Sequence, residues 1–128
     1  MRRFLRFMSE DELEKYLKGE TLTNKKVHTE NGSFGFCFFD ATKIDPIMAH
    51  HLLTGIATMQ YMVEFMVDDE IANRTLTKSK GRYHLPDTPP TEGHDLEEYC
   101  TNSYSREHFM PYQVWQLMIS YPSFINGK

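Results

Sequence analysis

The chain has 128 residues, a net charge of −4 and an aromatic content of nine Phe, seven Tyr and one Trp. A chain of this length buries about two-thirds of its unfolded surface, which predicts one domain with its own core. The basic residues form no stripe, so duplex nucleic acid is not an expected partner, and no apolar run approaches membrane-spanning length. We therefore expect a cytoplasmic protein with a single domain over residues 1–120 and a C-terminal tail over residues 121–128.

The first predicted elements are a strand at residues 3–8 and a short helix that begins at Ser9. Glu12 stands three residues after Ser9, the spacing of a capping box, in which the Glu12 side chain returns to the Ser9 amide. Gly19 ends this helix. The polar stretch at residues 21–33 then predicts turns rather than regular structure.

A second set of elements occupies the middle of the chain. The aromatic run at residues 34–39 predicts a buried strand. Asp45 and Pro46 predict the start of a second short helix, which Gly55 ends. Residues 58–67 alternate strictly between two sets of side chains, which predicts a long strand with one better-buried face.

The second half of the chain predicts strands separated by loops. We expect a solvated turn at residues 68–70, a loop or two short edge strands at 73–85 and an irregular Pro-rich loop at 86–93. After these come a strand at 95–100, a turn at 102–103, a helical turn near 105–109 and a last strand at 112–119. The sequence therefore predicts an α+β fold with two short N-terminal helices and a mostly antiparallel sheet.

The predicted strand at residues 95–100 carries two adjacent glutamates on opposite faces. Because strand side chains alternate, Glu98 shares a face with Leu96 and Cys100, whereas Glu97 shares the other face with Asp95 and Tyr99. One glutamate therefore points toward whichever face the fold covers. A glutamate on a covered face is either a structural acid whose hydrogen bonds are satisfied or a functional acid.

Cysteine and histidine offer few predicted sites. Cys37 and Cys100 form no CxxC pair and each lies in a strand-like run, which predicts two buried thiols and makes a disulfide the less favoured reading. His50 and His51 are adjacent on a predicted helix and point about 100° apart, so we expect no shared metal ion there. A metal-dependent hydrolase is a third, less favoured prediction, and its candidate ligands are His84, His94 and His108.

Four stretches follow one another as first strand, capped helix, Gly/aromatic strand and Glu98 strand, and in this order the chain resembles the ADP-ribosyltransferase-like family. They are LRFMS at 5–9, the helix at 10–19, SFGFCF at 33–38 and EEY at 97–99. The resemblance spans roughly residues 3–109. It implies an ADP-ribosyltransferase-like split sheet and NAD as substrate, with ADP-ribose transferred to an unknown acceptor, such as a protein, or NAD hydrolysed.

The same resemblance implies roles for individual residues. Glu98 would be the catalytic carboxylate that stabilises an oxocarbenium-like transition state as nicotinamide leaves. Leu96 stands where many members have a second glutamate or glutamine, which leaves open acceptors other than arginine. The cofactor residues implied are Arg6 for the NAD diphosphate or ribose, Ser33, Gly35 and Phe36 for the nicotinamide pocket, and Tyr83 and Tyr104 for stacking. A surface arginine at position 6 and a core aromatic at position 36 remain open.

A non-catalytic protein competes with the enzyme as a prediction. Small acidic domains rich in aromatic residues often bind partners through one exposed patch. Residues 109–112, with Trp115, supply the residue types of such a patch. The alternative function is therefore an interaction module or an inhibitor that binds a protein partner.

Overall fold

The computed structural model describes residues 1–24, 35–53, 59–85 and 87–117. These residues contain three helices, α1 (Glu10–Leu17), α2 (Pro46–Leu53) and α3 (Asp69–Thr75), and a 3-10 turn at Pro90–Glu92. The strands are β1 (Arg2–Met8), β2 (Leu22–Thr23), β3 (Phe36–Asp40), β4 (Tyr61–Val67), β5 (Thr77–Tyr83), β6 (His94–Thr101), β7 (Ser103–Tyr104) and β8 (Phe109–Gln116). The predicted α+β class with a mostly antiparallel sheet is confirmed.

Six of the strands form one sheet in the order β5-β6-β3-β1-β4-β8, and β2 pairs with β7 in a separate ribbon. All the pairings are antiparallel. The strands β6, β3 and β1 are therefore direct neighbours near the middle of the sheet. These strands contain residues 5–8, 36–38 and 97–99, which belong to three of the four stretches that resemble the family.

Two apolar clusters cover the two faces of this sheet. Phe4 and Met8 of β1 pack with Leu13 and Tyr16 of α1, so we call this side the α1 face. Phe7, the odd-numbered neighbour on β1, packs with α2 on the other side, which we call the α2 face. The alternation of strand side chains thus assigns each site residue to one of these two faces.

Several predicted elements differ from the observed ones. Residues 68–70 were expected to be a solvated turn, but Asp68 accepts a hydrogen bond from the Glu70 amide (2.9 Å) and caps α3. The Pro-rich loop at 86–93 contains a 3-10 turn, although we expected no regular structure there. The expected turn at 102–103 leads directly into β7, and β8 begins at Phe109, earlier than the predicted 112.

Some predictions fall outside the described residues. They are Ser33 as a cofactor residue, Gly55 as the end of the second helix, most of the polar stretch at 21–33 and the tail at 121–128. Within the described part of the chain, no helix is both long and apolar enough to cross a membrane.

Candidate functional site

Strand β6 separates its two glutamates as the alternation predicted. Glu98 is completely buried. It lies on the α2 face, because it shares a strand face with Leu96, a member of the α2 cluster. The side chain of Glu97 is 40% exposed on the opposite face and lies 3.3 Å from the Lys78 ammonium group. A hydrogen bond from the Tyr99 hydroxyl, together with Lys78, lowers the pKa of Glu97. Glu98, and not Glu97, therefore belongs to the covered interior.

Strand β5 supplies the space and a donor for the Glu98 carboxylate. The Tyr83 hydroxyl donates a hydrogen bond to Glu98 Oε1. Gly81 lies beside this pair, and a Cβ atom at that position would stand 2.7 Å from the Glu98 carboxyl carbon. Burial, and then the hydrogen bond and charge of Glu98, raise the pKa of Tyr83. The phenol therefore stays protonated and acts as a donor to the carboxylate.

Two thiols adjoin this carboxylate. Cys37 of β3 is directly opposite Cys100 of β6 in the ladder, and their sulfur atoms are 2.9 Å apart. No disulfide joins the two cysteines; Cys100 is buried and Cys37 is half-buried. The hydrogen bond with Cys100, then burial and the charge of Glu98, raise the pKa of Cys37. The sequence predicted two buried thiols but did not place them side by side, because that proximity depends on the β3–β6 register.

Arg6 points to the other face of the sheet. Its guanidinium makes a bidentate pair with Glu12 of α1, with N–O distances of 2.6 and 2.7 Å, and donates to the Cys37 carbonyl oxygen at 3.0 Å. Its Cζ atom lies 5.1 Å from the centre of the Phe36 ring. Burial alone would lower the pKa of Arg6, but the hydrogen bonds and charge of Glu12 raise it. Arg6 is thus a largely buried, charged group held on the α1 face.

Tyr104 and Phe36 complete this second cluster. The Tyr104 hydroxyl donates to Glu12 Oε2 at 2.7 Å, and the Phe36 and Tyr104 rings meet edge to face with centres 5.0 Å apart. Both rings are buried in the core. Gly35 has a positive φ of 62°, and a Cβ atom there would lie 3.1 Å from the Asn102 Cα. The nearest atom to such a Cβ is the Thr101 carbonyl oxygen, so the close approach at this glycine is to the backbone at the end of β6.

The predicted site residues consequently form two groups on opposite faces of the sheet. Glu98 and Tyr83 meet on the α2 face, whereas Arg6, Phe36 and Tyr104 meet on the α1 face. The two groups do not line one cleft. The sequence placed Glu12 in a capping box but did not predict that its side chain binds Arg6. Half of the capping box is present, because Ser9 Oγ accepts a hydrogen bond from the Glu12 amide at 3.2 Å.

The three predicted histidine ligands, His84, His94 and His108, belong to no group of three potential metal ligands among the described residues. Among the described residues, the one group of three potential metal ligands is Cys37, Glu98 and Cys100, and it contains no histidine. A surface depression of about 140 Å³ lies between β6 and the end of β3 with the loop that follows it. It is smaller than the roughly 300–1,000 Å³ typical of small-molecule pockets. Its lining residues are Asp40, Lys43, Ile44, Asp95, Leu96 and Glu97.

The chain was compared with protein-family models, with curated proteins and with solved structures. No match was found in any of the three comparisons.

Proposed function

We propose that the protein is an ADP-ribosyltransferase-like enzyme that acts on NAD with Glu98 as its catalytic carboxylate. The observation that carries this proposal is the complete burial of Glu98 on β6, beside β3 and β1. The strands that carry Glu98, Phe36 and Arg6 are thus adjacent in the sheet. This arrangement supports the proposal without identifying the acceptor.

The chemistry follows from the position of the carboxylate. A buried anion near the nicotinamide ribose would stabilise the positive charge that develops as nicotinamide leaves. Its low-dielectric surroundings strengthen that interaction relative to water. Tyr83 is half-buried while Glu98 is fully buried, so the substrate would approach the carboxylate past Tyr83.

Arg6 is paired with Glu12 and not positioned to bind the NAD diphosphate or ribose at Glu98, the role implied by the resemblance. Its guanidinium is already bidentate to Glu12 and lies on the face opposite Glu98. A diphosphate at Glu98 would therefore need another cationic partner. Arg6 instead joins β1 to α1 inside the α1 face.

The test is nicotinamide release and transfer of labelled ADP-ribose from NAD to proteins of a cell lysate. We expect Glu98→Gln to reduce turnover by about 100-fold or more, the range for removal of a transition-state stabilising group. Glu97→Gln is the matched control, because Glu97 is exposed on the other face, and it should retain turnover. No nicotinamide release, no transfer and no thermal shift with NAD would falsify the proposal.

The interaction module has one observation in its favour. Strand β8 is an edge strand, and Met110, Tyr112 and Val114 are all more than 40% exposed. An exposed edge with apolar side chains suits a partner that adds a strand. A protein recovered with the wild type and with Glu98→Gln, but lost with Tyr112→Ala, would support this second function.

A further inference from the structure

Three side chains of types that commonly ligate metal ions lie close together on the α2 face of the sheet. Cys37 and Cys100 face each other across the β3–β6 ladder, and Glu98 precedes Cys100 by two residues on the same strand face. Their ligand atoms all lie within 4.8 Å of one another. Glu98 and Cys100 have no exposed surface, so the cluster is built into the interior.

The ligand types select a particular class of cation. Two thiolates and one carboxylate suit Zn²⁺, which takes sulfur at about 2.3 Å and carboxylate oxygen at about 2.0–2.2 Å. A tetrahedral site with such bonds places two sulfur atoms about 3.7 Å apart. The present sulfur separation is 2.9 Å, so the two sulfur atoms would have to move apart by about 0.8 Å, through rotation of the Cys37 and Cys100 side chains, to admit the ion.

The surroundings support the ligands in the way that metal sites require. All three side chains arise from two adjacent strands near the middle of the sheet, whose ladder fixes their Cα positions. Tyr83 donates to the Glu98 carboxylate and would orient it from outside the ligand set. Gly81 leaves the space that this carboxylate occupies.

We propose that Cys37, Cys100 and Glu98 bind one Zn²⁺ ion, with the fourth position open to water or another ligand. The inference goes beyond the proposed NAD chemistry and does not rest on it. The two uses of Glu98 exclude each other, because a carboxylate bound to zinc is no longer available to a developing oxocarbenium ion. Zinc is therefore expected to inhibit any NAD turnover.

The test uses the full chain, reduced with a phosphine and stripped with a chelator, without NAD. We expect one equivalent of Zn²⁺ by native mass spectrometry and by competition with a chromophoric indicator, together with a rise in Tm. Co²⁺ should give a near-ultraviolet thiolate-to-metal charge-transfer band in the wild type, a readout that needs no variant. Cys37→Ser and Cys100→Ser should each weaken Zn²⁺ binding at least tenfold, whereas Glu97→Gln should not change it.

Absence of Zn²⁺ uptake and of the Co²⁺ band in the reduced wild type would overturn the inference. Uptake that is unchanged in Cys37→Ser would do the same. The two proposals fail separately: a chelated protein that turns over NAD but takes up no zinc removes only the metal site. A protein that binds zinc but never releases nicotinamide, with or without chelator, removes only the NAD proposal.

Discussion

The carboxyl group of Glu98 occupies the space that a side chain at Gly81 would take. A Cβ atom at Gly81 would lie 2.7 Å from the Glu98 carboxyl carbon, and the Tyr83 ring also closes on the same point. Glycine in a strand often marks such a close approach. Here the approaching group is a buried acid from the neighbouring strand, so position 81 determines where the carboxylate can rest.

We expect Gly81→Ala to lower the free energy of unfolding by about 1–3 kcal/mol, the usual cost of overpacking, and to displace Glu98. Urea unfolding measures the first effect. Gly93→Ala is a matched control, because its Cβ would meet the exposed and flexible side chain of Arg82. Equal losses in the two variants would mean that the Glu98 carboxylate does not fill the space at Gly81.

Local patterns predicted that the two glutamates of β6 lie on opposite faces, but not which of those faces is covered. Period-two alternation separated Glu98 from Glu97, and burial followed that division. The pairing of Cys37 with Cys100 depends on the register between strands 63 residues apart in sequence, which no local pattern specifies. The thiols beside Glu98 were therefore beyond sequence reasoning, although the E-x-C spacing on one strand was a usable signal.

Two other differences have local physical causes. Glu12 has the capping-box spacing, but a buried guanidinium offers its carboxylate a bidentate partner, and Arg6 is that partner. Asp68 resembled part of an acidic turn, yet aspartate is also a preferred N-cap, and it caps α3. In both cases the sequence allowed two hydrogen-bonding solutions, and the long-range packing selected one.

The Arg6–Glu12 pair predicts a strong effect on stability. Their side chains are only 13% and 15% exposed, so Arg6→Gln would leave Glu12 without its cationic partner. We expect a loss of about 3–5 kcal/mol, measured by urea unfolding. The exposed helix pair Lys15–Asp11 is the control, and Lys15→Gln should cost less than about 1 kcal/mol.

A double-mutant cycle with Glu12→Gln tests the pair itself. The double variant should lose less than the sum of the single losses, since neither charge is then left buried alone. If Arg6→Gln kept full stability but abolished NAD binding, Arg6 would instead be a ligand-binding residue.

Tyr16 links α1 to the edge strand β8 through a hydrogen bond. It is fully buried, and its hydroxyl donates to the carbonyl oxygen of Phe109 at the start of β8. Tyr16→Phe would leave that carbonyl without this donor, at a cost of about 1–3 kcal/mol in unfolding free energy. Tyr112→Phe, at a side chain that is 61% exposed, should be near neutral. Hydrogen exchange of β8 amides should accelerate in the first variant only.

Asp40 predicts a pH-dependent part of the stability. Burial alone would raise its pKa, but hydrogen bonds from the Thr42 hydroxyl and amide, and from Arg2, lower it below the ordinary value. A carboxyl group whose pKa is lower in the folded state stabilises the fold fully above its unfolded pKa of about 3.9. That contribution disappears as the pH falls through the lower folded pKa.

The Asp40→Asn variant should therefore be less stable than the wild type at about pH 6, and the difference should shrink toward pH 2–3. Urea unfolding across this range measures the difference in unfolding free energy. Asp11→Asn is the control, because the Asp11 side chain is 77% exposed and its variant should follow the wild type closely. A constant difference for Asp40→Asn at every pH would show that the hydrogen bonds from Thr42, and not the charge of Asp40, account for the stabilisation.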